Sequence, residues 1–156
     1  MRKTDIYGIV LLAAMLIPTK SVELGKLRPV ELLCVYREGE KIVLQTDTGD
    51  VGQGKNIPEA VEDLNHTASG TIRLDTTEYL LIEEGLEKKL HLLETYLKRR
   101  TRVALVVGKP DPEIAVTYLN AHQPATRLQG GINDSITEIL TVKEGVILLE
   151  KINQKK

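Results

Sequence analysis

The chain has no phenylalanine and no tryptophan, and its five tyrosines are its only aromatic side chains apart from three histidines. An aliphatic core is therefore predicted, and a platform for stacking nucleic-acid bases has little to build with. The single cysteine, Cys34, excludes an intrachain disulfide and a multi-cysteine zinc site. An excess of charge of one sign is also missing. The 21 basic and 22 acidic residues leave a formal net charge of −1 over 156 residues, whereas a dedicated nucleic-acid binder usually carries a basic excess. No nucleic-acid partner is expected. Internal repeats and low-complexity segments are absent. Hydrophobic residues at 42% and charged residues at 28% match an ordinary globular chain, which excludes wholesale disorder and a polytopic membrane protein.

One uncharged apolar run stands out, at residues 6–17, with Arg2 and Lys3 before it and Pro18 after it. Basic residues followed by an apolar stretch have the order of a secretory signal. The run is shorter than the ~20 residues of a comfortable membrane span. The following Thr19 and Lys20 offer no good small-residue cleavage site. Residues 1–20 are thus expected to be a signal peptide or membrane anchor, and residues 21–156 a single α/β domain. That organisation implies an extracytoplasmic location, anchored or secreted, with membrane contact through residues 6–17.

Beyond a polar connector at residues 20–29, apolar runs at 30–36 and 41–46 flank a turn at 37–40 and predict a β-hairpin. A glycine-rich loop is expected at residues 49–54. Asn56 is placed as the N-cap of a helix with Pro58 in its first turn, and Ile57, Ala60, Val61 and Leu64 form its apolar stripe. Ser69 and Gly70 end that pattern. Residues 71–74 and 78–82 read as extended. Leu86, Leu90, Leu93 and Leu97 predict the longest helix, with Lys98, Arg99 and Arg100 at its negative end. Residues 103–107 predict a buried strand ended by Gly108. Asp111 and Pro112 start a further helix whose apolar face is Ile114, Ala115, Tyr118 and Leu119. Residues 135–138 have the form of a capping box, and residues 146–149 suit a strand or a helical turn. The fold class is α/β (α+β): a small mixed sheet with an N-terminal hairpin and three to four packed helices.

Several motifs invite a chemical reading. Residues 49–55 have the G-x-x-x-x-G-K spacing of a phosphate-binding loop, but Asn56 stands where a Ser or Thr hydroxyl should meet Mg²⁺. Asp47, Thr48 and Gly49 repeat the Asp-Thr-Gly of retroviral-type aspartic proteases, whose chemistry needs two carboxylates sharing a proton. The plainer reading of both is a turn-forming connector. His66, His91 and His122 show no metal-ligand spacing, and Cys34 reads as a buried small hydrophobe. Lys98, Arg99, Arg100 and Arg102 form a local positive patch, suited to a solvated helix end or, near a membrane, to anionic lipid. No catalytic residue, metal ligand or cofactor is expected. The alternative is a small enzyme, using the 49–55 loop for phosphate or nucleotide or Asp47 for proteolysis.

Three stretches carry a family resemblance: Gly54 before the short helix at residues 56–64, the apolar strand and acidic-glycine turn at 79–86, and the leucine-rich helix, basic turn and strand ending Val107-Gly108-Lys109. In this order they resemble the N-terminal domain of the spore germinant-receptor C-subunit (Ger(x)C-type) family, here as a stand-alone relative. The hairpin at 30–46 also has its place there. Members usually carry a lipobox cysteine, which this leader lacks. The resemblance implies a non-enzymatic interaction domain with a role in sporulation or germination. It also implies an unknown protein partner among germination or envelope proteins.

Overall fold

A computed structural model describes residues 26–128 and 136–152. The expected leader and Ser135 lie outside the described residues. The predicted hairpin forms as β2 (Leu32–Glu38) and β3 (Lys41–Thr46), antiparallel with Glu38 opposite Lys41. Part of the expected polar connector is strand: β1 (Leu27–Pro29) pairs in parallel with β5 (Thr71–Arg73) as a separate two-stranded sheet. The expected glycine-rich loop is also largely strand. β4 (Val51–Gly54) adds antiparallel to β3.

The reason for its glycines is packing. α1 (Ile57–Thr67) lies so close that a Cβ on Gly52 would sit 2.3 Å from the Ala60 carbonyl oxygen, and one on Gly54 would sit 2.4 Å from the Ala60 nitrogen. Asn56 caps this helix, its side chain accepting from the Glu59 amide, and Ile57, Ala60, Val61 and Leu64 are buried as the stripe requires.

β6 (Tyr79–Glu83) and β7 (Arg102–Val107) lie parallel to β2, and β8 (Glu138–Lys143) lies parallel to β7. β9 (Val146–Lys151) returns antiparallel to β8. The order across the sheet is β4-β3-β2-β6-β7-β8-β9. β2, β6 and β7 are continuous apolar runs because both faces of a central parallel strand are covered. Leu33, Val35, Leu80, Ile82, Val103 and Leu105 face one core, with α1 and the leucines after β6. Leu32, Cys34, Tyr79, Leu81, Ala104 and Val106 face the other, with α3 (Pro112–Ala121). Each fully buried leucine or valine contributes roughly 1.5–3 kcal/mol.

Two helical expectations change. The leucine segment is a 3₁₀ turn (Glu87–Lys89) followed by a helix of four residues, α2 (Leu90–Leu93). Neither start has a side-chain cap, since Leu86 and Lys89 stand at the two cap positions. Leu86, Leu90, Leu93 and Leu97 are nevertheless all buried. The capping-box reading of residues 135–138 fails, since Glu138, Ile139 and Leu140 belong to β8. On α3, Asp111 caps as predicted, accepting from the Glu113 and Ile114 amides, but Ile114 is 56% exposed and lies off the apolar face. The mixed α/β architecture itself is as read from the sequence.

Candidate functional site

Three chain segments meet at the N-terminal ends of β6 and β7: residues 74–79, 98–102 and 123–128. Backbone and hydroxyl groups knit them together. The Arg102 amide donates to the Glu78 carbonyl at 2.8 Å, and the Thr101 hydroxyl to the Thr77 carbonyl at 2.9 Å. The third segment is tied by Val103 N–H to Thr126 O at 2.9 Å and Leu128 N–H to Thr101 O at 2.7 Å. Between them lies a cleft of about 420 Å³ lined by Thr77, Glu78, Tyr79, Lys98, Arg100, Arg102, Gln123 and Arg127. Four cations thus face one carboxylate. None of the four forms an ion pair with a described residue. Arg102 is steadied by a 2.7 Å bond from Nη1 to the Pro124 carbonyl.

Tyr79 forms the inner wall. Its hydroxyl donates to Asn120 Oδ1 at 2.9 Å, and Asn120 Nδ2 donates to Glu31 at 2.8 Å, so α3, β6 and the start of β2 are joined. Burial above all pushes the Tyr79 phenol up, with Glu78 adding to the rise and Arg102 opposing it. It therefore stays protonated and acts as a fixed donor. Thr77 is the exception to good hydrogen bonding. It is 1% exposed, and its Oγ1 has no partner among the described residues. A buried hydroxyl left unpaired is uncommon and calls for a reason.

Ligands of open α/β sheets usually gather at the carboxyl ends of the strands. Here that end is paired off. Lys109 binds Glu38 and lies 4.6 Å over the Tyr36 ring, while Glu83 accepts from the Arg37 amide at 2.6 Å.

No family model, curated protein or solved structure matches the chain.

The tempting motifs take structural roles. The N-terminus of α1, where a phosphate loop would present free amides, is filled by its own acid: Glu59 accepts from the Lys55 amide at 3.0 Å and from the Asn56 side chain at 2.8 Å. Asp47 accepts from the Glu31 and Leu32 amides at 3.0 and 3.1 Å, fixing the entry to β2. Asp50 pairs with Arg28 at 3.0 Å, and Asp75 with Arg73 at 2.6 Å. His122 stacks on Tyr118, and His66 lies 3.8 Å from Glu62. Among the described residues no cluster of His, Cys, Asp and Glu is arranged to hold a metal. Cys34 is buried, as its flanking residues imply.

Of the cleft, Lys98, Arg100 and Arg102 were legible as a basic patch. Thr77, Gln123 and Arg127 carry no sequence signal, because only the strand order brings them there.

Proposed function

We propose that this chain is a non-enzymatic interaction domain, exported or held at a membrane by residues 6–17, that recognises an anionic partner through the cationic cleft. The observation that carries this reading is the convergence of Lys98, Arg100, Arg102 and Arg127, none of them in an ion pair with a described residue, on one cavity. In a chain of formal net charge −1, four cations gathered at one place are a local feature and not an overall tendency. Lys98 and Arg102 are half-buried and Arg100 and Arg127 exposed, so all four can reach an anion in the cleft through charge-assisted hydrogen bonds. The resemblance to the first domain of germinant-receptor C subunits supports the same class of role and suggests a partner among germination or envelope proteins.

Ion-exchange behaviour tests the cleft directly. At neutral pH the wild type is expected to be retained on a phosphate-bearing resin at low salt, and the Arg100→Glu/Arg127→Glu double variant to flow through. Equal behaviour of the two proteins overturns the reading. Peptide-cleavage and nucleotide-hydrolysis assays on wild type, Asp47→Asn and Lys55→Ala address the enzymatic alternative. Turnover lost in either variant would replace the interaction role with catalysis.

A further inference from the structure

We infer that the group this cleft accepts is a phosphoryl group, held by the arginines and, once it turns out of the wall that seals it, by the Thr77 hydroxyl; the inference rests on reading the cleft as the recognition site. Thr77 is the first reason. The two neighbouring threonines of the cleft framework both spend their hydroxyls on backbone: Thr76 donates to the Arg73 carbonyl at 2.6 Å and Thr101 to the Thr77 carbonyl at 2.9 Å. The Thr77 hydroxyl, as buried as that of Thr101, has no described partner. Valine has the same shape and would remove the cost of the unpaired group. A local rule broken at a cavity wall, with no gain to the fold, is expected where a ligand supplies the missing partner.

Charge is the second reason. The lining sums to +3, four cations less the Glu78 carboxylate. A carboxylate is planar, carries a single charge, and is satisfied by one guanidinium fork. A phosphate ester carries about −1.5 to −2 at neutral pH and offers three acceptor oxygens. A pyrophosphate carries more. Cations reaching in from two chain segments, 98–102 and 123–128, suit acceptors that point in more than one direction. The volume of about 420 Å³ falls within the ~300–1,000 Å³ of small-molecule sites, leaving room for whatever bears the phosphate. Two sources share this chemistry: a soluble phosphate ester and the headgroup of an anionic lipid.

Calorimetric titration of the full chain with inorganic pyrophosphate and with glycerol phosphate is one arm. Flotation with vesicles of phosphatidylcholine, with and without phosphatidic acid, is the other. Saturable binding in either arm, lost in Arg127→Glu, supports the inference, and the responding arm names the source. Thr77→Val is expected to bind at least tenfold more weakly while the unliganded protein melts at a higher temperature. Thr77→Ser should restore binding. Unchanged affinity in Thr77→Val removes the hydroxyl from the site. If carboxylate ligands such as citrate bind with the same charge-reversal sensitivity and phosphates do not, the phosphoryl inference fails and the anion reading survives. If no anion binds and the Arg100→Glu/Arg127→Glu variant behaves as wild type on the resin, both fail.

Discussion

Single side chains set the local chemistry of this protein. Burial, reinforced by the nearby Asp47 charge, pushes the Cys34 thiol up from 9.0 to about 12. A thiol is reactive as its thiolate, so native Cys34 should resist iodoacetamide at neutral pH and react only after unfolding in denaturant. The sign of the pH effect follows from linkage. Above pH 9 the unfolded chain releases this proton while the folded chain keeps it, so stability falls as pH rises from about 9 to about 12. Cys34→Ala should flatten that part of the stability–pH curve, measured by urea unfolding. Arg28 is another residue with an outsized role. It donates to Asp50 at 3.0 Å, to Ser69 at 2.7 Å and to the Thr48 carbonyl at 3.3 Å, tying β1 to the turn before β4. Arg28→Ala should cost about 1.5–3 kcal/mol, the range for bonds to charged groups.

Elements here succeed or fail on their ends and their neighbours. α1 has a capping residue, a reciprocal glutamate and a clean stripe, and it forms where the sequence places it. The leucine segment has the stripe but no cap, and its regular helix shrinks to four residues. Tight packing decides β4. Gly52→Ala would force a methyl group to within 2.6 Å of the Leu64 nitrogen and 2.3 Å of the Ala60 oxygen. Backbone cannot yield as a flexible side chain does, so the loss should reach ~1–3 kcal/mol or more in chemical denaturation. The β8–β9 hairpin turns through Glu144 and Gly145, both in the left-handed region at φ 50° and φ 80°. Glycine suits that region and glutamate does not. Glu144→Asn should raise the melting temperature, with a gain of up to about 1 kcal/mol.

At the scale of the whole molecule, the sheet divides the interior into two cores and leaves the cleft on the amino end of its parallel strands. The cleft depends on that assembly, because its cations come from the turn before β7, the first residue of β7 and the segment after α3. Removing residues 1–20 should leave melting and anion retention unchanged. In fractionation of a tagged chain, the same truncation should move it from the membrane or exported fraction to the soluble one. A full-length chain that is soluble and cytosolic would contradict the anchor reading.

By itself, the amino-acid sequence determined the elements whose signals are local. The hairpin, both capped helices and the buried strands were legible because turn residues, caps and apolar periodicity act over a few residues. It also determined that the core is aliphatic apart from Tyr36 and Tyr79, and that Cys34 is buried. Tertiary structure alone decided that Gly52 and Gly54 accommodate a helix in place of a phosphate, and that the uncapped leucines would be buried without a long helix. It also decided that Arg127 would join Lys98, Arg100 and Arg102 in lining one cleft. Strand order brings together groups that are distant along the chain, and no local propensity encodes such a meeting.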